Sequence, residues 1–408
     1  KSFQKLEKTK TLNLFIIFIA AILAPIVASV IPRFKFPAVV LEICLGIVIG
    51  PQVLGLVQLD PVINELSQFG LGFLFFLAGF EIDIDRLKGK PLTYAIIGWI
   101  ISLIISLLIG GILQASGLVI SFIFIGLAMS TTAIGVLVPI LRDEGDLNSN
   151  FGRFVFSAGV VGEFAPLTIL ALFFNKVYNN FSSLILVILF IVIAFVILFT
   201  VRRWQPPYIV DLMRKTMNNS GQLALRLSLL LLVALIFITM NSGIDFLFGA
   251  FTAGIILSEV MKMAKNKNDR DIENMRIKFE GIGFGLLIPI FFIVSGINFN
   301  LNAFLTSPTS LLMVPIFLIS FLIVRGFPSM VIYRKILSKA ERVPLALFSA
   351  TQLPMVIVIT DLAVKSGALH TNNAADLVGA AIISVILFPF IALIMRNSKT
   401  KQKVGSDN

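Results

Sequence analysis

Glu163 is the residue of this sequence whose type and position most clearly point to chemistry. It lies near the middle of an apolar run, residues 153–174, and a helix needs ~20 such residues to cross the hydrocarbon core of a bilayer. A charged side chain at that depth costs at least about 2.5 kcal/mol, so an acid kept there is expected to bind an ion or a proton. The alternative is a structural carboxylate that pairs with a neighbouring helix.

The composition indicates which elements must position this acid. Of the 408 residues, 57% are hydrophobic and 13% are charged, and the mean hydropathy is +0.98, which is typical of a polytopic membrane protein. The net charge of +11 lies in the segments between apolar runs, so no nucleic-acid partner is expected. The single cysteine, Cys44, cannot form an intrachain disulfide. The sequence begins at Lys1 rather than methionine, which suggests that an upstream piece is missing.

Thirteen apolar segments, called spans 1 to 13, are predicted to be transmembrane helices. They cover approximately residues 12–31, 37–57, 66–83, 91–113, 119–141, 153–174, 181–201, 222–240, 243–260, 280–298, 308–333, 343–365 and 373–395. The odd-numbered loops and the C-terminal tail carry most lysines and arginines, whereas the even-numbered loops hold only Lys176 and Lys365. The positive-inside rule therefore predicts a cytoplasmic C-terminus and an external N-terminus in the plasma membrane. Four N-terminal lysines, Lys1, Lys5, Lys8 and Lys10, disagree with this orientation.

The sequence also repeats itself. Each pair of matching segments lies seven spans apart, an odd number, so the two copies insert with opposite orientation. Inverted repeats are typical of secondary transporters, whose binding site lies near the midplane between the repeats. The matching segments are 73–84 with 290–301, 130–132 with 349–351 and, more weakly, 46–49 with 254–257.

Spans 5 and 12 carry helix-weakening residues at corresponding places in the two repeats, where Gly135 aligns with Pro354. Proline removes a backbone donor and hydroxyl side chains offer competing hydrogen bonds, so both helices are predicted to unwind there and to present ligands for an ion. The alternative is that Pro354 only kinks span 12 while the hydroxyls bond to their own helix. The predicted ligands are Thr131, Thr132, Thr351 and Gln352, with Ser130 and Glu42 as candidates for the ion pathway.

Arg325 lies well inside span 11, at a depth comparable with that of Glu163 in span 6. An ion pair between these two residues is therefore geometrically possible, and Arg325 is predicted to be the charge partner of the acid. A second interpretation makes Arg325 the binding group for the carboxylate of an organic anion.

Four stretches resemble the monovalent cation:proton antiporter superfamily, in its bacterial-type sodium/hydrogen exchanger family with thirteen transmembrane helices. They are residues 41–46 with Gly50-Pro51, 76–83, 130–133 and 291–296. The resemblance implies an all-α membrane fold of two inverted repeats, in which spans 5 and 12 break and cross and span 6 supplies the carboxylate. Family members carry Asp-Asp or Asn-Asp in span 6, and the second acid matches Glu163. The first position is Gly162 here, so the resemblance implies electroneutral exchange.

The resemblance also implies how the chain is organised. We expect a single polytopic domain over residues 1–408, with scaffold and dimerisation spans within 12–113 and 222–333. The ion-translocating bundle is expected within residues 119–174 and 343–395. A homodimer through the scaffold helices follows from the resemblance alone.

The expected function is exchange of Na⁺, Li⁺ or K⁺ for protons by alternating access, with Glu163 as the shared site for the cation and the proton. The bilayer is the expected environment, and no cofactor is expected. The alternatives are a transporter of small organic anions on the same fold and a regulated cation channel. An enzyme is not expected, because His370 is the only histidine and the sequence shows no metal-ligand spacing or nucleophile–base pair.

Overall fold

The computed structural model describes residues 2–30, 37–82, 87–147, 149–173, 221–263, 270–302 and 310–406, together with a few positions between 192 and 203. All regular elements in these residues are helices, which confirms the predicted fold class. Twelve of the thirteen predicted spans coincide with described helices. Span 7, predicted at 181–201, lies almost wholly outside the described residues, so the count of thirteen stays a prediction.

Eight spans are single helices. Spans 1 to 4 are Ser2–Val30, Ala38–Ile49, Pro61–Phe80 and Lys90–Ala115; spans 6, 8, 9 and 13 are Asn150–Phe173, Leu223–Asn241, Phe246–Met263 and Thr371–Ser406. Among the described residues, ten helical segments are long and apolar enough to cross a membrane, whereas the span 2 helix is shorter.

The remaining described spans are interrupted. Span 5 consists of Phe122–Met129 and Ile134–Asp143, and span 12 consists of Lys339–Ala350 and Pro354–Lys365. Span 10 runs through Arg270–Ile282, a π-helical turn at Gly283–Leu287 and Ile288–Asn298; span 11 runs through Ser310–Phe321, a π-helical turn at Leu322–Gly326, Phe327–Ile332 and the 3₁₀ turn Tyr333–Lys335. The predicted breaks in spans 5 and 12 are therefore confirmed, and they fall where the two repeats align.

Packing divides the chain into two compact units. The first comprises residues 1–60, 86–166 and 292–408, and the second comprises 61–85 and 167–291. Spans 1, 2, 4 and 11 were expected in the scaffold, yet they fall in the same unit as spans 5, 12 and 13 and most of span 6. The packing units thus differ from the predicted scaffold and bundle, and that functional division remains a proposal.

Within the first unit, spans 2 and 10 cross at two glycines. A Cβ atom added at Gly46 would lie 2.1 Å from the carbonyl oxygen of Ile293, and one added at Gly296 would lie 2.2 Å from that of Ile43. No real Cβ atom approaches an oxygen so closely, so only glycine permits this contact between backbones. Small residues at helix crossings are a common packing device in membranes.

Within the second unit, spans 3 and 9 make an equivalent crossing. A Cβ atom at Gly79 would lie 2.2 Å from the carbonyl oxygen of Phe251, and one at Gly254 would lie 2.1 Å from that of Phe76. The repeat alignment pairs each glycine of this crossing with one of the crossing between spans 2 and 10. The same backbone contact is therefore made once in each unit, which supports the internal repeat read from the sequence.

Candidate functional site

The Glu163 carboxylate lies against the break in span 5. The residue is 1% exposed, and its Oε2 atom accepts a hydrogen bond of 2.9 Å from the backbone N–H of Ile134. Ile134 is the first residue of the second half-helix of span 5, and the N–H of Gly135 is a further hydrogen-bonding group for the carboxylate. Free N–H groups and the helix dipole make a helix N-terminus favourable for negative charge. The broken helix thus supplies a local partner for a buried acid.

The two breaks are bound to each other and to span 6. The backbone N–H of Ala133 donates to the carbonyl of Thr351 at 2.8 Å, and the N–H of Thr132 donates to the carbonyl of Gly162 at 3.1 Å. Non-helical backbone at the breaks leaves donors and acceptors without partners in their own helices. Bonding between the breaks satisfies several of these groups, so the two unwound segments stabilise one another.

Arg325 is the centre of the hydrogen-bond network around the breaks. It is 3% exposed and lies in the π-helical turn of span 11. Its Nε and Nη2 atoms donate to Thr132 Oγ1 at 2.9 and 2.7 Å, and Nη2 donates to the carbonyl of Ala158 at 3.0 Å. Longer contacts reach the carbonyl of Ser349 at 3.4 Å and Ser102 Oγ at 3.5 Å. One guanidinium therefore connects spans 4, 5, 6, 11 and 12.

The possible ion pair between Arg325 and Glu163 does not form among the described residues. The physical reason is that both groups find other partners. Thr132 Oγ1 accepts two donors of the guanidinium and itself donates to the carbonyl of Ser349 at 2.6 Å, while the carboxylate accepts from the backbone of span 5. Arg325 lies in the predicted region, but it is linked to the acid through Thr132 and the backbone.

Gln352 bridges the two breaks from the side of span 12. Its Nε2 atom donates to the carbonyl of Met129 at 2.7 Å, and its Oε1 atom accepts a long bond of 3.4 Å from Thr131 Oγ1. Its backbone N–H donates to Ser384 Oγ in span 13 at 3.1 Å. Of the predicted ligands, Gln352 and Thr132 are thus the residues that bind strongly across the two repeats.

The other predicted hydroxyls bond mainly within their own helices. Ser130, Thr131 and Thr351 each donate to a carbonyl three or four residues earlier, at 2.8, 2.9 and 3.0 Å. These three residues therefore follow the alternative prediction, in which the hydroxyls bond to their own helix. A hydroxyl near a helix end can reach its own backbone more easily than a neighbouring span. All three remain buried at the breaks.

Two further polar groups, one in the network and one in span 2, keep oxygen atoms available. Ser349 Oγ is buried and has no hydrogen-bond partner in the described structure, although the carbonyl of the same residue accepts from Thr132 and Arg325. Glu42 lies in the span 2 helix, is 6% exposed and makes no hydrogen bond or ion pair with the described residues. A buried polar atom without a partner, such as Ser349 Oγ, usually marks a place that binds a ligand, an ion or a water molecule, or one that is strained.

Sequence reasoning missed three residues of the network: Trp99, Ser102 and Ser384. The indole Nε1 of Trp99 donates to the carbonyl of Ser130 at 3.2 Å, and a tryptophan in an apolar span is a usable signal because its N–H needs a partner. The two serines carry no such signal. Their side chains resemble those of any other serine in a membrane helix, and only the packing shows what they contact.

Comparison with known proteins places the chain in a family. The family model "Sodium/hydrogen exchanger, transmembrane" matches residues 17–394. The Na⁺/H⁺ antiporter of Enterococcus hirae is 24% identical over 88% of this chain and 91% of its own length. The Na⁺/H⁺ antiporter NhaS4 of Synechocystis sp. (strain ATCC 27184 / PCC 6803 / Kazusa) is 30% identical over 72% and 75%. YjbQ of Bacillus subtilis (strain 168) is 28% identical over 97% of this chain, which spans only 65% of YjbQ.

A solved structure supports the same fold. The sodium proton antiporter MjNhaP1 from Methanocaldococcus jannaschii at pH 8 superposes with a TM-score of 0.64 and 17% sequence identity, over 96% of this chain and 97% of that one. At this identity the likeness concerns the fold alone. The family model, in contrast, matches the sequence itself over nearly the whole chain, including both breaks, Glu163 and Arg325. This chain therefore belongs to the transmembrane sodium/hydrogen exchanger family.

Proposed function

We propose that this protein exchanges a monovalent cation, Na⁺, Li⁺ or K⁺, for protons across the membrane, and that Glu163 is the shared binding site. The observation that carries the proposal is a single acid, 1% exposed, bound by the backbone at the N-terminal end of a broken helix. The known family supports this class of activity, and the Na⁺/H⁺ antiporter names of two relatives support Na⁺ and protons among these ions.

Coupling follows from the cost of a buried charge. A carboxylate with neither proton nor cation is expensive in a medium of low dielectric, even with backbone donors beside it. Protonation or cation binding neutralises the carboxylate. The protein with a proton or a cation bound therefore changes between its inward-facing and outward-facing states more readily than the protein with an empty site. Because one carboxylate holds either one proton or one monovalent cation, each complete cycle exchanges the two without moving net charge.

The ligands of the cation are proposed from the oxygens around the acid. Ser349 Oγ is buried without a partner in the described structure, and Gln352 Oε1 makes only the long bond to Thr131. Ser349 lies in the last turn of the helix before the break in span 12, and Gln352 lies within that break. This break is bound to the break beside Glu163 through Ala133 and Thr351. The hydroxyls of Thr131 and Thr351 donate to carbonyls and keep oxygen lone pairs for a cation. Thr132 Oγ1 accepts two bonds from Arg325 and would join the shell only by giving one of them up.

Alternating access is proposed to move the bundle of residues 119–174 and 343–395 against a scaffold within residues 12–113 and 222–333. The hydrogen bonds that join spans 5, 6 and 12 favour their movement as one body. Glu42 is proposed to line the cytoplasmic approach to the site. A homodimer in the plasma membrane, with the C-terminus in the cytoplasm, completes the proposal.

The rival interpretation, transport of an organic anion on Arg325, is disfavoured by the geometry. The guanidinium is 3% exposed, and its donors are directed at Thr132, Ala158 and Ser349. An anion would have to replace these bonds. Uptake of an organic acid that is lost in Arg325→Ala but kept in Glu163→Gln would favour the rival. Single-channel currents in place of saturable flux would favour a regulated channel.

The proposal is tested in proteoliposomes that contain a pH-sensitive dye. After a proton gradient is imposed, addition of Na⁺, Li⁺ or K⁺ should dissipate it with the wild-type protein and should have no effect with Glu163→Gln. A suitable control is Glu259→Gln, which removes another buried acid, one paired with Lys262 at 2.9 Å, and should retain exchange. If Glu163→Gln dissipates the gradient at the wild-type rate, the proposed mechanism is wrong.

A further inference from the structure

We propose that Gly162 forms a matched pair with Arg325 and that the two residues together position the site. Because position 162 has no side chain, the guanidinium of Arg325 has space to bind Thr132. Through this contact Arg325 positions the site at Glu163. This inference rests on the proposed function, since it assigns a role to two residues beside the proposed cation and proton site.

The first observation is steric. A Cβ atom added at Gly162 would lie 2.5 Å from Arg325 Nη2, 2.7 Å from Thr132 Oγ1 and 2.9 Å from Thr132 Cβ. All three distances are shorter than real contacts of a Cβ atom, so even alanine at this position requires the guanidinium or Thr132 to move. The guanidinium occupies the volume that any larger residue at 162 would need.

The second observation is that the guanidinium cannot move without loss. It is buried, and besides Thr132 it is bound to the carbonyls of Ala158 and Ser349. Its backbone lies in the π-helical turn Leu322–Gly326, an irregularity found frequently at functional sites. Displacement would leave a buried charge with fewer partners, which is strongly unfavourable. A side chain at 162 is therefore expected to disturb the whole network.

The third observation connects the pair to the acid. The hydroxyl of Thr132 accepts hydrogen bonds from Arg325, and the backbone N–H of Thr132 donates to the carbonyl of Gly162 at 3.1 Å. Ile134, two residues further along, donates the backbone bond to Glu163 Oε2. A shift of Thr132 consequently shifts the amide that holds the carboxylate. Arg325 is thus a positioning residue that acts on Glu163 through Thr132 and the backbone of span 5.

The pair should behave as one unit in a double-mutant cycle of Gly162→Ala and Arg325→Ala. In proteoliposomes, the apparent KM for Na⁺ and its dependence on pH should shift by about tenfold or more in each single variant, with a smaller change in kcat. The double variant should match Arg325→Ala alone, because the added methyl group then has no guanidinium to displace. Gly162→Ala combined with Arg325→Lys should have an apparent KM between that of Gly162→Ala and that of the double variant. The reason is that lysine is slimmer than arginine but lacks its fork of donors.

Gly98→Ala is the matched control. A Cβ atom at this position of span 4 would meet its nearest neighbour, Ile332 Cδ1, at an ordinary 3.5 Å, so its KM and pH profile should stay at wild-type values. If the effects of Gly162→Ala and Arg325→Ala instead multiply in the double variant, the two residues act independently and the inference is wrong.

The melting temperatures of the same purified proteins give a readout that does not depend on exchange. Gly162→Ala should lower the melting temperature, and adding Arg325→Ala should lower it by less than it does in the wild-type background. This result would support the matched pair even if proteoliposomes showed no cation–proton exchange, in which case only the proposed function would fail. Equal decreases in both backgrounds would overturn the inference, and so would wild-type KM, pH profile and melting temperature in Gly162→Ala.

Discussion

The two breaks occupy corresponding places in the repeats but are bound by side chains of different chemistry. In the first repeat, the carboxylate of Glu163 in span 6 accepts from the N–H of Ile134 at 2.9 Å. In the second repeat, the hydroxyl of Ser384 in span 13 accepts from the N–H of Gln352 at 3.1 Å. Each break is thus held by a residue of the span that follows it. Both breaks therefore have an acceptor from the following span, but only the acceptor at the first break, Glu163, is ionisable.

Other positions repeat this asymmetry. The offset that aligns the breaks carries Glu163 onto Ile382, a buried apolar residue of span 13. The hydroxyl of Thr132 binds the Arg325 guanidinium, whereas the hydroxyl of its counterpart Thr351 bonds within its own helix. The repeated architecture therefore supplies the shape of the site, and the first repeat supplies its carboxylate. This is the physical basis for proposing a site with one carboxylate.

The largest difference should appear when the two capping residues are removed in turn. In the wild-type protein, a cation at 100 times its Kd should stabilise the fold by about 2.7 kcal/mol, seen as a higher melting temperature. Glu163→Gln should abolish this cation-dependent rise, while Ser384→Ala should keep it. A rise that survives in Glu163→Gln, or one that is lost only in Ser384→Ala, would contradict the assignment of the cation-binding carboxylate to the first repeat.

The paired threonines should differ in their effect on stability. Thr132→Val removes an acceptor of two bonds from a buried guanidinium, so it should cost about 2–3 kcal/mol, as expected for bonds to charged groups. Thr351→Val removes one local bond of 3.0 Å and should cost about 1 kcal/mol. Thermal unfolding of both purified variants measures the difference. Equal losses would show that Arg325 does not depend on Thr132.

The bridge made by Gln352 should contribute less than Thr132. Gln352→Leu leaves the carbonyl of Met129 without its 2.7 Å donor, which should cost about 1–2 kcal/mol for a buried acceptor. Gln352→Glu is a useful companion, because it keeps the shape but places a second acid beside the breaks. Exchange by Gln352→Leu at more than half the wild-type rate would remove Gln352 from the proposed ligands.

The smallest effect is expected at Pro354. Proline fits the first position of a helix, where a backbone N–H would have no intrahelical partner. Pro354→Ala should therefore change stability by no more than about 1 kcal/mol and should leave exchange intact in the dye assay. A tenfold loss of exchange would mean that the missing N–H at the start of the second half-helix of span 12 matters for the site.

The sequence predicted the features that depend on local pattern. Twelve spans, both breaks and the burial of Glu163 follow from apolar runs interrupted by glycine, proline and hydroxyl residues, and the structure contains them. The partners of individual side chains were less accessible. Arg325 was predicted at a depth comparable with that of Glu163, but its contact with Thr132 depends on a π-helical turn and on the space at Gly162. Ser102 and Ser384 have no distinguishing sequence context, so only the packing shows their roles.

The most direct test of a site with one carboxylate is the stoichiometry of exchange, measured as the reversal point in proteoliposomes. Opposing gradients of Na⁺ and protons are varied until net flux stops, with the membrane potential clamped at several values. A one-for-one exchange should stop when the two concentration ratios are equal, at every potential. A second proton per cation would add one net charge, worth about 2.3 kcal/mol per 100 mV. A reversal point that moves with potential would contradict the account.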